Sequence, residues 1–359
     1  MDQHFQKDFP VIGNYTYLDT AASGLLYERL MEWRQEHDID FLIGGSLFRE
    51  EHHALLESIR GTVGKFFNCS SERVSLIPNF SFGFTTLLNG LDKKQKVLLL
   101  KNDYPSINWQ VEAAGYKTCY VTIDECVEER IKIAVEKEQP DILALSLVQY
   151  INGIKIDLGF LKSLKEAHPD LLIVADGTQY CGTEIFDFEA SGIDVLGASG
   201  YKWLLGGYGN GFMFFKEAAI KKIYPDSFEK ESRITDFSSI QCHLMNHFEP
   251  GHQDTLNYGS LQFSLKYLSE IGLKPIEEHL KHLSITAKQK LEALGLLEEA
   301  IVKRAHHSTI FNMKGDEELF NRLRNNAIIC SQRGSGIRVS FHFYNTEKDL
   351  NRLLLQLRK

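Results

Sequence analysis

The sequence predicts an α/β fold: a large domain built on a mostly parallel mixed sheet between helices, followed by a smaller α+β domain at the carboxyl end. Three observations carry this. Short apolar, β-branched runs alternate with longer amphipathic stretches between residues 96 and 215, the pattern of buried strands joined by helical crossovers. From about Tyr258 the pattern changes to long helices and then strand-like segments. The 359 residues also exceed the roughly 250 to 300 at which one core stops growing, so two domains are expected.

Taken in order, residues 51–67 place Leu55, Ile59, Val63 and Phe66 at three- or four-residue spacing and predict a helix. NFSFGFTTLLNGL (79–91) reads as a small-residue turn running into a helical stretch. Strands are expected at KVLLL (96–100), CYVTI (119–123), ILALSLV (142–148), LLIVA (171–175), DVLGAS (194–199) and GFMFF (211–215), with helices at 126–137 and 159–168. Pro250 and Gly251 mark the expected boundary. It gives a large domain over 15–250 and a small one over 251–359 that takes in residues 1–14. In the small domain, helices are expected at roughly 258–271 and 275–294, then strands at IVKRA (301–305), STIFNM (308–313) and IRVSFHF (337–343).

Composition narrows the partners. With 43% hydrophobic and 25% charged residues the chain has an ordinary globular make-up. A formal charge of −8 with scattered lysines and arginines argues against a nucleic-acid surface, which needs concentrated positive charge. No run approaches the ~18 apolar residues of a membrane span, and MDQHFQKDFP lacks the basic start and apolar core of a secretory signal. Six cysteines without a CxxC pair fit reduced thiols in a cytoplasm. The HH pairs at 52–53 and 306–307 lack metal-ligand spacing, so no metal is expected. GGYGNG (206–211) follows a lysine instead of a first strand and is no dinucleotide fingerprint. A small-molecule partner is expected.

The chemistry is concentrated in ADGTQYCGTEIFDFEASGIDVLGASGYKW (175–203). Asp176 follows LLIVA, at the carboxyl end of a buried strand, where open α/β sheets bind their ligands. A carboxylate there needs a cation or several hydrogen bonds, and a protonated pyridine nitrogen would serve; a turn aspartate in Asp-Gly is the alternative. Lys202, between Tyr201 and Trp203, follows another strand end. A lysine walled by aromatics has a lowered pKa and a neutral amine able to attack a carbonyl; a snorkelling lysine is the alternative.

The order of Asp176, Gln179 and the Ser199-Gly-Tyr-Lys202-Trp cluster resembles the class V aminotransferase family of fold type I pyridoxal-phosphate enzymes, which includes cysteine desulfurases, selenocysteine lyases and isopenicillin N epimerase-like proteins. The resemblance implies pyridoxal 5′-phosphate as cofactor. Asp176 then holds the pyridinium nitrogen, Gln179 bonds the phenolic oxygen and Lys202 forms the internal aldimine. It further implies that Gly83, Phe84 and Thr85 contact the phosphate, completed by Ser199 and by Tyr201, which stands where the family often has His. Tyr104, in NDYPSINW (102–109), matches the residue that stacks on the ring. Gln149 and Tyr150 occupy the region where desulfurases usually keep an Asn. GSGIRVSFHFYNTEKDLNRLL (334–354) is similar to the family's Arg-x-Ser-x-x-x-Tyr-Asn-Thr signature, so Arg338 is expected to meet the substrate α-carboxylate with a bidentate fork. YTYLDTAASGLL (15–26) resembles the opening motif, with Ala22 and Ser23 near the substrate.

The resemblance implies a small amino-acid substrate and aminotransferase, lyase or epimerase chemistry. Cysteine desulfurase is the alternative, with a catalytically silent binding protein as another. A desulfurase needs a mobile cysteine upstream of Arg338, and Cys330, preceded by Ala-Ile-Ile, reads as a buried strand thiol in a segment too short for that loop. A homodimer is implied too, in which His252 or Thr255 of EPGHQDT (249–255) reaches across the interface to the phosphate.

Overall fold

The computed structural model describes residues 3–228 and 238–357. Strands β1 (Thr16–Tyr17), β2 (Val74–Ile77), β3 (Lys96–Leu100), β4 (Lys117–Val121), β5 (Ile142–Ser146), β6 (Leu172–Asp176), β7 (Val195–Ser199) and β8 (Gly211–Phe215) precede β9 (Ile310–Lys314), β10 (Ile328–Ile329), β11 (Ser331–Arg333) and β12 (Gly336–Ser340). The large sheet has the order β2-β8-β7-β6-β5-β3-β4. Its pairings from β4 to β7 are parallel, and β8 runs antiparallel to both neighbours. The carboxyl ends of β2, β3, β5, β6 and β7 therefore leave along one edge.

Both faces of this sheet are covered, as the uninterrupted apolar runs require. Alternate residues go to opposite sides. Leu98, Leu143, Ile173 and Leu196 join one core with Ile59, Val63, Ile131 and Leu161 from helices His52–Phe67, Val127–Glu138 and Leu158–Ala167. Val97, Ile142, Val174 and Val195 join another with Phe84 and Ile107 from helices Phe80–Gly90 and Pro105–Ala113.

The carboxyl-terminal part has its own core, with Leu283, Phe311, Met313, Val339 and Leu353 buried around the antiparallel sheet β11-β12-β9. β1 pairs in parallel with β10 and places Leu18 in that core. Helices Thr255–Ile271 and Leu273–Ala293 match expectation, the first beginning earlier because the Asp254 carboxylate caps it by accepting from Asn257 N at 2.9 Å. IVKRA is not a strand. Its residues lie mostly in helix Glu299–Lys303, where Leu297 and Ile301 bury at four-residue spacing and Lys303 pairs with Glu299 at 2.6 Å.

The expected boundary at 250/251 falls just ahead of a helix that joins the core of the large sheet. Helix Thr255–Ile271 packs on the first core: Gln262 Nε2 donates to Ser58 Oγ and Thr62 Oγ1, both at 2.9 Å, and Gly259 lies against the Trp33 ring. Gly272, at φ +92°, separates this helix from the next.

Candidate active site

A cavity of about 310 Å³ opens at the shared strand edge, lined among others by Asn79, Tyr104, Asp176, Ser199, Tyr201 and Lys202. Register brings the ends together: Ser146 lies beside Asp176, and Asp176 beside Gly197 on β7, two residues before Ser199. The turn after β7 carries Lys202 back over the edge. It is closed from outside by Gly24, whose N–H donates to Tyr201 O at 2.9 Å and whose Cβ, if it had one, would lie 2.0 Å from Lys202 O. Only glycine allows that approach, and Gly24 was not among the residues of the TAASG stretch that the sequence reading singled out.

Lys202 is 5% exposed, with Nζ 5.6 Å from the Tyr104 ring centre and 5.4 Å from that of Tyr201. Burial lowers its pKa, Asp176 raises it back in part, and Arg338 adds to the lowering. Asp176 is buried too. Desolvation pushes its pKa up, while hydrogen bonding by Thr178, whose N–H donates to Oδ1 at 2.8 Å, and the Lys202 charge pull it down. Asp103, which sequence reasoning missed, lies behind Tyr104. Its carboxylate accepts from Tyr104 N at 2.7 Å and Ser146 N at 2.8 Å, bridging β3 and β5, and burial raises its pKa.

The anion-binding end is the first turn of helix Phe80–Gly90. Asn79 caps it, accepting from Phe82 N at 3.0 Å, and Phe80 N donates to Ser199 Oγ at 2.9 Å. The positive helix terminus favours an anion there. Ser199 N in turn donates to Thr178 Oγ1 at 3.0 Å. The expected contacts Gly83, Phe84 and Thr85 do not line the cavity. Because the helix already starts at Phe80, Gly83 packs where a Cβ would lie 2.5 Å from Met213 Sδ, Phe84 stacks on Phe80 at 5.3 Å in the core, and Thr85 Oγ1 donates to Ser81 O at 2.9 Å. Asn79, Phe80 and Ser81 take their place.

Gln179 lines the cavity with its amide held on both sides: Trp203 Nε1 donates to Oε1 at 2.8 Å, and Nε2 donates to Ala21 O at 2.9 Å. Tyr201 stacks on Tyr208 at 4.9 Å, and Tyr150 meets Tyr104 edge-on at 5.1 Å. Gln149 closes a turn instead, its Oε1 accepting from Ile151 and Asn152 N–H groups at 2.6 and 2.9 Å.

Arg338 is 2% exposed on β12. Nη1 donates to Tyr150 O at 2.7 Å and Nη2 lies 3.6 Å from Asp19, leaving Nε buried without a partner. Ser23 Oγ accepts from Tyr208 Oη at 3.1 Å, whereas Ala22 contributes a turn, its N–H donating to Asp19 O at 2.9 Å. Cys330 is 6% exposed and burial pushes its thiol up to about 12. Thr255 is committed to a hydrogen bond with His37 at 3.0 Å, and His252 is exposed beside Arg49. Among the described residues no cluster suited to a metal ion occurs.

The sequence profile of the class-V aminotransferases matches residues 16–353. The chain belongs to that family. Among curated relatives, this chain is 22% identical over 357 residues to the uncharacterised aminotransferase YcbU of Bacillus subtilis, covering 98% of this chain and 95% of that one. It is 26% identical over 398 residues to a probable cysteine desulfurase of Ureaplasma parvum, covering 99% and 96%. In fold it is similar to the apo cysteine desulfurase of Thermococcus onnurineus, with a TM-score of 0.81 at 18% identity over 97% of this chain and 95% of that one.

Family membership makes it a pyridoxal 5′-phosphate-dependent transferase or lyase. Its residues fit the cofactor. A buried acid at one end of the cavity, a buried amine with a lowered pKa between tyrosine faces, and a capped helix terminus match the ring nitrogen, aldehyde and phosphate in turn.

Proposed function

We propose that this chain acts on a small amino acid by holding pyridoxal 5′-phosphate covalently on Lys202. The observation that carries the reading is a buried lysine, made more neutral by desolvation, facing a buried aspartate across a tyrosine-walled cavity. When bound, the cofactor supplies an electron sink for charge developing at the substrate α-carbon. Asp176 would receive the ring N–H, its Thr178 hydrogen bond offsetting part of the burial that raises its pKa. Tyr104 covers the ring face. Gln179, its oxygen occupied by Trp203, offers an amide N–H to the phenolic oxygen. Ser199, Tyr201 and the first turn of helix Phe80–Gly90 take the phosphate. Arg338 directs its unpartnered Nε and adjacent Nη2 at the substrate carboxylate. Lys202 Nζ would hold the aldehyde and, when free of it, would serve as the base for the substrate α-proton.

Transferase, lyase or epimerase chemistry is favoured over a cysteine-persulfide route. No cysteine lines the cavity among the described residues, and Cys330 is buried with a raised pKa. The name of the Ureaplasma relative keeps cysteine desulfurase as the second reading. The presence of both Lys202 and Asp176 disfavours a silent scaffold.

A homodimer is part of this reading, supported by exposed Phe41, Leu42, Ile43 and Leu47 in one stretch. A cytoplasmic setting is supported by six cysteines that remain thiols. No described helix is long and apolar enough to cross a membrane, and the net charge of −8 disfavours nucleic acid.

The test is borohydride reduction after adding pyridoxal phosphate, followed by peptide mapping. The adduct is expected on Lys202 and absent in Lys202→Ala; an adduct elsewhere, or none, refutes the assignment.

A further inference from the structure

The β11–β12 hairpin holds a cation that the proposed function does not use. Across this hairpin Ser331 lies opposite Arg338, and Arg333 opposite Gly336. Opposed residues of an antiparallel pair share a face, as do residues two apart on one strand. Ser331, Arg333 and Arg338 therefore project to the same side. Ser331 identifies that side, because its Oγ lies 2.6 and 2.5 Å from the two carboxylate oxygens of Asp19, the partner of Arg338.

The hairpin tip is held against the rim of the cavity. Asn312 Nδ2 donates to Arg333 O at 2.8 Å, and a Cβ on Gly334, at φ +56°, would lie 3.2 Å from Ile151 Cγ2. Ile151 follows Tyr150, which lines the cavity and whose carbonyl accepts from Arg338. Arg333 itself is exposed. Its Nη1 donates to Gln332 O at 3.0 Å, and no carboxylate pairs with it among the described residues. Its charge reaches into the site, opposing protonation of Lys202 and Arg338 and favouring ionisation of Asp19. Lys202 faces Asp176 and Arg338 faces Asp19, but among the described residues no carboxylate lies within ion-pair distance of Arg333.

We propose that Arg333 is a specificity-determining residue that receives a second carboxylate, so that the preferred substrate is a dicarboxylic amino acid of four or five carbons. Residues two apart on a strand stand about 6.8 Å from one another, so Arg333 stands one strand repeat from Ser331, the residue opposite Arg338. A short diacid fits between two guanidinium groups so placed, with Arg338 taking the α-carboxylate and Arg333 the side-chain carboxylate. The proposal rests on the role of Arg338 given above.

The experiment measures binding to the cofactor-loaded protein by calorimetry, using α-methyl-aspartate, α-methyl-glutamate and 2-aminoisobutyrate, which have no α-hydrogen to lose. The wild-type chain is expected to prefer one of the diacids over 2-aminoisobutyrate by about tenfold or more, since a charge-assisted fork is among the stronger polar contacts. In Arg333→Gln this ratio should fall toward one, and raised salt should shrink it in the wild type. Arg338→Lys should weaken all three ligands together. A wild-type chain without diacid preference, or a ratio unchanged in Arg333→Gln while Arg338→Lys weakens binding, overturns the role of Arg333 alone. Unchanged binding in Arg338→Lys overturns the carboxylate assignment beneath it, and the proposal with it.

Discussion

Replacing Trp203 by Phe tests how the site orients its amide. The indole N–H can only donate, so at 2.8 Å it fixes Oε1 of Gln179 toward Trp203 and leaves the amide nitrogen to Ala21 O and the cavity. Phe keeps an aromatic ring against His342, which now meets Trp203 edge-on at 5.1 Å, but it deletes the donor. A buried acceptor left unpaired is worth about 1–3 kcal/mol, so the melting midpoint should drop by a few degrees. Once the amide can turn over, its oxygen meets the phenolic oxygen of pyridoxal phosphate with lone pair against lone pair. Cofactor affinity should then weaken by roughly tenfold, about 1.4 kcal/mol. The assay is a fluorescence titration with pyridoxal phosphate on wild type, Trp203→Phe, Gln179→Leu and the double variant. If the bond carries the effect, Trp203→Phe should lose most of its consequence in the Gln179→Leu background, a coupling of about 1 kcal/mol. Additivity within about 0.5 kcal/mol refutes the reasoning.

Other consequences are as direct. The rate at which cofactor-free protein takes pyridoxal phosphate onto Lys202 should rise with pH through a midpoint below the ~10.4 of an ordinary lysine, because burial favours the neutral amine. Asp176→Asn removes the charge that raises that pKa, so its midpoint should move lower still; stopped-flow absorbance that places either midpoint above the ordinary value contradicts the site electrostatics. Glu249→Gln should destabilise the chain by about 3–5 kcal/mol, since Arg60 and Glu249 are both buried and Glu249 Oε1 also accepts from Leu76 N at 2.9 Å. A denaturant titration showing a loss under about 1 kcal/mol would exclude that pair as a structural tie. Cys330→Ser should retain turnover in a sulfide-release assay with cysteine, and a loss of most of that activity would restore the persulfide route.

Asp176 and Lys202 were legible because each ends an apolar run with a group that such a run cannot bury without a purpose. The helical parts were legible wherever burial repeats over several turns, as in His52–Phe67. IVKRA misled because a short β-branched run looks alike in strand and helix; its register is set by Leu297, outside the run. Gly83, Phe84 and Thr85 lie away from the cavity because the helix begins at Phe80, capped by Asn79, three residues before Phe82. Asp19 and Asp103 lie beyond any local reading. Asp19 is held by Ser331, 312 residues on, and Asp103 by Ser146, 43 residues on. What makes them part of the site is strand order, which residue patterning leaves open.

Those distant contacts explain how one sheet edge tolerates so many buried charges. Each acid is fastened by a donor on one side: Asp103 by the Ser146 N–H, Asp176 by the Thr178 N–H and Asp19 by the Ser331 hydroxyl. Such donors offset part of the burial that raises each of these carboxyl pKa values, and Asp176 and Asp19 keep a flank for Lys202 and Arg338. Arg338 and Lys202 are held less completely, since Arg338 retains an unpaired Nε and Lys202 is pressed toward its neutral form. The anions are therefore the fixed part of the site and the cations the part with bonding capacity to spare. That division suits a ligand bringing a cationic ring nitrogen for Asp176, an aldehyde for Lys202 and a carboxylate for Arg338.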